Sequence, residues 1–368
     1  MLFQYIFISL FFLFSAVGFS EQMLRVNIGR SNVPVHMTGK TLIIKNESGE
    51  TLSQTNSATF TPTQTGISLA GKNIGKKIFI TSKEPMQVFG RTYLDENEIL
   101  WQKSSDNKPE IIIIHPVSLE RYLISTVASE MSSSWHEEAL KAQAITARTY
   151  ALWQKFRRIH EPYHVSSTVN DQVYNGIGHN HPNTQKAVEA TNGQVITFES
   201  ELIEAYFSST CGGYTESSKE GWGKFLAYLP VTRCTYCQSS PTYTWKTTFT
   251  QQELKNALKS VTKQPITGIT IREKTDSGRI KTIDIKTKKS SQQITGSKLR
   301  NLLGNAKLKS TFVTNIDFNS RTVTFSGKGF GHGVGMCQYG ALGMAKAGKS
   351  ANDIIQFYFP GTEIRAMY

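Results

Sequence analysis

Glu130 is the acidic residue whose setting best suits proton transfer. It closes the run Val127-Ala128-Ser129-Glu130-Met131, and Trp135 follows one bend later. A carboxyl among apolar neighbours at a helix C-terminus is pushed toward its neutral form, because desolvation and the negative end of the helix dipole both disfavour charge. A neutral carboxyl is what a general acid needs, and such groups commonly contribute rate factors on the order of 10² to 10⁴. The same pattern also describes a solvent-facing glutamate at a helix end, and the local sequence alone favours that plainer reading.

Other chemistry-bearing residues fall into four sets. Lys141, Gln143 and Arg148 stand between alanines, where long side chains can reach past a thin helix into a cleft; an arginine can clasp a carboxylate with two parallel hydrogen bonds. His136-Glu137-Glu138-Ala139-Leu140 begins like a zincin helix and fails, because Leu140 stands where the second histidine ligand belongs. Cys211, Cys234 and Cys237 supply three thiolates that could bind zinc with one more ligand; two of them could equally pair as a disulfide. His160 with His164, and His179 with His181, have ligand-like spacing but lie in proline-flanked loops, where surface histidines are common.

The densest unusual stretch is Gly329-Phe330-Gly331-His332-Gly333-Val334-Gly335-Met336-Cys337-Gln338-Tyr339-Gly340. Alternate glycines let backbone approach a ligand closely and would present His332, Gln338 and Tyr339 at a surface. A phosphate loop would need a lysine-serine ending, which is missing.

These residues need elements to position them. Short alternating runs such as Leu24–Ile28 and Thr41–Ile44 predict strands over residues 24 to 114, closing with a buried strand at Ile111–Ile114 that His115 and Pro116 end. Residues 118 to 131 carry Leu119, Tyr122, Leu123, Val127 and Met131 at helical spacing behind an N-cap at Ser118. A second, alanine-rich helix runs to about Phe156, with Ser134 and Glu137 forming a capping box; its small residues permit close packing on the first. Asp171–Tyr174 and Val195–Phe198 read as strands, with a short helix near Gln185–Thr191. Further strands and a helix capped by Thr250 and Glu253 fill residues 243 to 326, and a last helix starts at Ser350 and stops at Pro360. The order of elements is mixed, so the expected fold class is α+β, mixed sheet and helix with a central helical hairpin.

The 368 residues, 39% hydrophobic, suffice for a substantial core. A net charge of +13 implies attraction to a polyanion without choosing among nucleic acid, anionic membrane and wall polymer. Residues 2–14 form an apolar run followed by Ser15, Ala16, Gly18 and Ser20, which reads as a secretory signal, although no lysine or arginine precedes it. Export to the periplasm or cell envelope is expected, with an uncleaved membrane anchor as the competing reading. The expected organisation is a signal peptide at 1–20, a β-rich region at 21–114 and a catalytic region at 115–368.

Taken in order, several of these segments resemble the stage II sporulation protein D and amidase-enhancer family of bacterial wall proteins. The resemblance rests on Val127–Met131, Glu138–Ala144, Ala147–Ala151, Asp171–Tyr174, Ser209-Thr210-Cys211-Gly212-Gly213, Gly331–Met336 and Gln338–Ala341, and covers roughly residues 115 to 365. It implies a two-lobed α+β architecture with a substrate cleft, and a lytic transglycosylase acting on peptidoglycan glycan strands stripped of stem peptides, with Glu130 catalytic. Lys141, Arg148, Ser209, His332, Gln338 and Tyr339 would bind substrate. No cofactor is implied for catalysis. Structural zinc at Cys211, Cys234 and Cys237 is a further implication, from which this chain departs by having Ser208 where many relatives have histidine. Cys337 stands where serine is common. Expected partners are glycan strands and other wall hydrolases or division proteins. A non-catalytic protein that stimulates an amidase is the alternative. Nucleic-acid binding is disfavoured by export and by the lack of an aromatic-basic reading motif.

Overall fold

The computed structural model describes residues 21–368; the apolar segment read as a signal lies outside the described residues. Eight strands come first: β1 (Met23–Ser31), β2 (Val35–Asn46), β3 (Thr51–Pro62), β4 (Ile67–Leu69), β5 (Lys72–Asn73), β6 (Lys77–Val88), β7 (Arg91–Lys103) and β8 (Pro109–Ser118). With β9 (Val165–Ser166) they form an open sheet ordered β5-β4-β3-β2-β6-β7-β8-β1-β9. Ile111 to Ile114 are buried on both faces of β8, which explains a continuous rather than alternating apolar run.

Pro116 does not end this strand as expected. Pairing with β7 stops at Ile114, whereas pairing with β1 continues to Ser118, so proline falls where one side has no ladder to lose. The expected boundary at 114/115 therefore falls inside β8, and β9 joins the N-terminal sheet from beyond it.

The helical hairpin is present as α1 (Leu119–Glu130) and α2 (Glu137–Arg157). Helix α2 is buried nearly all round, including Ala139, Ala142, Ala144, Ala147 and Ala151, as expected of a core helix rather than a surface one. Its N-cap is His136, not Ser134. The chain turns at Ser132–Trp135, leaving the Ser134 hydroxyl bonded to Ser132 while His136 Nδ1 accepts from the Glu138 N–H. Around α2 pack α3 (Pro182–Ala190), β10 (Gln194–Phe198) and, from the C-terminal part, α7 (Gln338–Lys346) and α8 (Ala351–Tyr358). Short pieces complete this body: β11 (Glu201–Leu202), β12 (Phe207–Ser208), α4 (Ser218–Trp222), β19 (Met336–Cys337), paired parallel to β12, and β20 (Glu363–Ala366), paired with β10.

A second lobe has its own core. It comprises β13 (Thr244–Thr250), α5 (Gln251–Ala257), β14 (Ile266–Lys274), β15 (Ile280–Thr287), β16 (Ser291–Thr295), α6 (Gly296–Leu303), β17 (Val313–Phe318) and β18 (Thr322–Lys328). Its two three-stranded sheets, β13-β18-β17 and β14-β15-β16, enclose Phe249, Leu254, Ile283, Leu299, Val323 and Phe325. The chain enters on β13 and leaves on β18, antiparallel neighbours that pair Thr244 with Lys328. The lobe is fastened to the body by the β14–β15 turn. Arg279, fully buried there, donates to the carbonyls of Cys211 (2.7 Å) and Tyr214 (2.9 Å), and the hydroxyls of Thr275 and Ser277 donate to Glu216. The architecture is thus α+β and two-lobed. Among the described residues no helix is long and apolar enough to cross a membrane.

Candidate active site

A cleft of about 670 Å³ opens between body and second lobe, and Glu130 lies in its lining. The body contributes Tyr150, Asp171, Tyr206, Ser208, Ser209, Trp222, Phe330, His332 and Gln338, and the lobe contributes Arg300, Asn305 and Ala306.

Glu130 is delivered by the last residue of α1. Burial raises its pKa above the ordinary carboxylate value, against the Val173 N–H, which donates to Oε1 at 2.8 Å, and the Gln338 amide, both of which favour the charged form. The segment expected as a strand at Asp171–Tyr174 is instead an ordered loop, because each residue is committed to the hairpin rather than to a ladder. Asp171 accepts from Tyr150, Gln154, Arg158 and the Ser166 N–H. Gln172 accepts from Tyr122 Oη and donates to the Ala147 carbonyl, bridging α1 and α2. Val173 holds Glu130, and Tyr174 stacks on His115 and packs at a tilt against Tyr122.

Two carboxylates line the cleft, but only one is uncommitted. Asp171 is an ion-pair partner of Arg158 at 3.0 Å and carries three further hydrogen bonds; its side chain is 4% exposed. Glu130 has neutral partners only, which leaves it free to exchange a proton.

Aromatic rings form one wall. Tyr206 lies 6.0 Å from Tyr150 and 5.2 Å from Trp222, and Trp222 lies 5.1 Å from His332. Such rings offer flat apolar faces of the kind that pack against sugar rings. His332 Nδ1 accepts from the Val334 N–H at 3.1 Å, and the ring also hydrogen-bonds the Phe207 backbone. Burial lowers its pKa to about 4, so near neutrality it is an uncharged, fixed part of the wall. Gly331 allows this loop to lie against β12: its φ is +109°, and a Cβ there would sit 2.7 Å from Ser208 Cβ. Among the described residues, the Ser208 hydroxyl and the Gln143 amide nitrogen are buried without partners, beside the cleft and behind Gln338 respectively.

Not every residue expected to bind substrate reaches the cleft. Ser209, His332 and Gln338 line it. Arg148 does not. It is fully buried on the far side of α2, where it clasps Glu120 through two 2.7 Å hydrogen bonds and reaches the carbonyls of Val188 and Gln194. Lys141 is occupied by Glu137 (2.8 Å) and Glu138 (3.0 Å) at the start of its own helix. Tyr339 packs edge-on against Trp135, with ring centroids 4.7 Å apart, outside the lining. Reach along a helix was the basis for the first two, and it says nothing about which face turns inward. Arg300 and the wall of Tyr150, Tyr206 and Trp222 went unread because they come from distant segments with no shared local pattern.

The cysteines gather behind the glycine-rich loop. Cys211, Cys234, Cys237 and also Cys337 are buried, with all four sulfurs within 4.8 Å of one another. The Cys211 and Cys237 sulfurs lie 3.6 Å apart, close to the edge of a tetrahedron with metal–sulfur bonds of about 2.3 Å. Cys337 Sγ accepts N–H groups from Cys211 and Gly340, and Cys234 Sγ lies 3.2 Å from Tyr358 Oη, the kind of outer support that thiolate ligands use. The donor set therefore fits zinc. Four sulfurs would leave no open position, so a metal held here would be structural.

The sequence comparisons agree with this division of the chain. The family model for stage II sporulation protein matches residues 107–198, the segment of the hairpin and the Asp171 loop. A domain family of unknown function, DUF8618, matches residues 222–335, which bracket the second lobe. Stage II sporulation protein D of Bacillus amyloliquefaciens is 34% identical over 270 residues, 68% of this chain and 75% of that protein. An uncharacterised protein of Brachyspira hyodysenteriae is 33% identical over 257 residues, covering 69% and 68%. The amidase enhancer of Bacillus subtilis is 33% identical over 293 residues, 66% of this chain but 40% of the enhancer. With one-third identity sustained over two-thirds of its length, this chain belongs to the stage II sporulation protein D family.

Proposed function

We propose that this chain cuts peptidoglycan glycan strands as a lytic transglycosylase, within the cell-wall role that its family supports. The observation that carries this reading is the solitary uncommitted carboxyl, Glu130, desolvated in an aromatic-walled cleft. Hydrolytic glycosidases ordinarily use two carboxylates, one as acid and one as nucleophile or base. Here Asp171 is tied to Arg158, so the chemistry must run on one.

A transglycosylase needs one because the substrate supplies the nucleophile. Neutral Glu130 gives its proton to the oxygen joining N-acetylmuramic acid to N-acetylglucosamine as the bond from that oxygen to the muramyl C1 breaks. The carboxylate left behind takes the proton of the muramyl C6 hydroxyl, whose oxygen closes on C1. The products are a 1,6-anhydromuramyl end and a free N-acetylglucosamine hydroxyl, with Glu130 again neutral. Val173 and Gln338 hold the carboxyl in place during both transfers.

The test is digestion of purified, peptide-free strands followed by mass spectrometry. Wild type should release anhydro-ended fragments and Glu130→Gln should not; hydrolytic ends, or unchanged cutting by the variant, would refute the mechanism. The amidase-enhancer relative favours a second reading, in which the chain binds wall and stimulates an amidase without cutting. Strand binding without any fragment release would favour it. As part of the same proposal, the protein is exported through its N-terminal apolar segment, and one zinc held by the four cysteines stiffens the floor on which the glycine loop rests.

A further inference from the structure

Behind the cleft stands an amide that substrate cannot reach. Gln143, on the second turn of α2, is fully buried and outside the cleft lining. Its Oε1 accepts from Gln338 Nε2 at 3.4 Å, across the contact between α2 and α7. Gln338 opens α7, its side chain is buried, and the same amide reaches Glu130. Among the described residues the Gln143 Nε2 has no partner. An unpartnered buried amide nitrogen carries a desolvation cost that a methionine of similar length would not. Packing therefore does not account for Gln143, and the one hydrogen bond its polar end makes is with Gln338.

A carboxamide has two ends of nearly the same shape and opposite character: NH2 donates and C=O accepts. With NH2 toward Glu130, Gln338 joins the Val173 N–H in stabilising the carboxylate that remains once the proton has gone. With C=O toward Glu130, it would accept the acid's own proton and hold it back from the substrate. Shape does not choose between these ends, whereas an acceptor placed at the nitrogen does.

We propose that Gln143 is a positioning residue for the acid: its carbonyl fixes which end of the Gln338 amide meets Glu130, and so sets how readily the carboxyl releases its proton. The inference deepens the reading of the cleft as a cutting site and rests on it for the consequence in catalysis. The titratable groups around Glu130 do not make this selection. Tyr122 of α1, Tyr150 of α2 and Tyr206 of the wall are neutral, their hydroxyls pushed up by burial. His332 is uncharged near neutrality for the same reason, and Asp171 is paired with Arg158. Arg300, its pKa lowered to about 10 by burial, remains a cation on the opposite wall. Cys337, next to Gln338 in sequence, turns its sulfur toward the N–H groups of Cys211 and Gly340. Among the described residues none of these groups hydrogen-bonds the Gln338 amide.

The experiment follows the Glu130 carboxyl by carbon-13 NMR in protein labelled at its glutamate side chains, with Glu130→Gln identifying the signal. Gln143→Met and Gln143→Leu each remove the acceptor and keep an apolar side chain of similar size. In either, the acid dissociation constant of Glu130 should fall about 10-fold, the low end of what a hydrogen bond to a charged group is worth. On peptide-free strands kcat should drop about 10-fold while KM stays within about twofold, and the alkaline limb of the pH profile should move upward. Gln338→Met should reproduce the change, and adding Gln143→Met to it should alter nothing further, because the one acts through the other. Thr146→Val, buried on the same helix and touching Met336, should leave the titration where it is. One measurement needs no substitution at Gln143: in wild type the Gln338 side-chain NH2 signals should shift with the Glu130 titration. An unmoved Glu130 titration in both Gln143 variants, an equal change in Thr146→Val, or effects at Gln143 and Gln338 that simply add would overturn the proposal. So would Gln338 NH2 signals that ignore the titration. If the titrations respond as expected and wild type releases no fragments, the positioning role stands and the transglycosylase reading falls.

Discussion

Replacing Arg148 by methionine separates two roles that its sequence position leaves open. The substitution keeps an unbranched apolar stem and removes the guanidinium, which ties α1 to α2 through Glu120 and both to the Val188 and Gln194 carbonyls. Breaking a buried ion pair by deleting one partner typically costs about 3–5 kcal/mol. Glu120 is 28% exposed and retains a hydrogen bond from Tyr368 Oη, so water and that hydroxyl soften the loss and place the expected cost near the lower end, about 3 kcal/mol. The assay is urea denaturation followed by tryptophan fluorescence, with strand binding measured on the folded fraction. Glu120→Gln should cost at least as much, because it strands a fully buried cation, and the double variant should recover a substantial part of the sum. If Arg148→Met leaves the urea midpoint unchanged while selectively weakening strand binding, the clasp is not what this arginine is for, and the reasoning from its burial fails.

Other outcomes follow from the same structure. His115, 2% exposed, has its pKa lowered to about 4 from 6.5 by burial; the unfolded chain therefore takes up its proton first, and stability should be complete above pH 6.5 and decline by about 3 kcal/mol from this residue as pH falls toward 4. Urea midpoints from pH 4 to 8 check this, and His115→Gln should flatten the slope. Glu130 behaves in the opposite sense: its raised pKa means that the fold loses stability as pH rises from the unfolded value through the folded one, so Glu130→Gln should be more stable than wild type at neutral pH while inactive. In wild type, cutting should fall off on the alkaline side of that same pKa. Metal analysis should find one zinc per chain, and Cys337→Ser should lower metal content and melting temperature together. Gly340→Ala would set a Cβ 1.9 Å from Tyr358 Oη and 2.9 Å from Cys234 Sγ; an overpacking cost of about 1–3 kcal/mol is expected in a thermal melt.

Much of this architecture was legible where local pattern and tertiary role coincide. Helix α1 begins and ends within a residue of the span read from its apolar spacing, and the Thr250–Glu253 and Ser350 caps sit where side-chain chemistry requires them. The misreadings share a cause. Asp171–Tyr174 alternates like a strand, yet its side chains are used one by one as struts between helices, and period alone cannot distinguish the two. Arg148 looked like a reaching cation because sequence gives a helix position without its azimuth. The fourth thiol was present in plain view, but only folding brings residue 337 beside residues 211, 234 and 237. The bounds of the second lobe were hidden within the region 115–368 because its strands continue the same alternation as their neighbours, and only the packing divides one core from the other.

The paired ends of β13 and β18 make the second lobe a bracketed passage in the chain, opened and closed at one spot on the body. A deletion there could be bridged by a short linker without rerouting the hairpin that carries Glu130. The body that carries Glu130 and the lobe that supplies Arg300 to the cleft are consequently free to change at different rates over descent, and a transplanted lobe would be the direct means of giving one body a new facing wall.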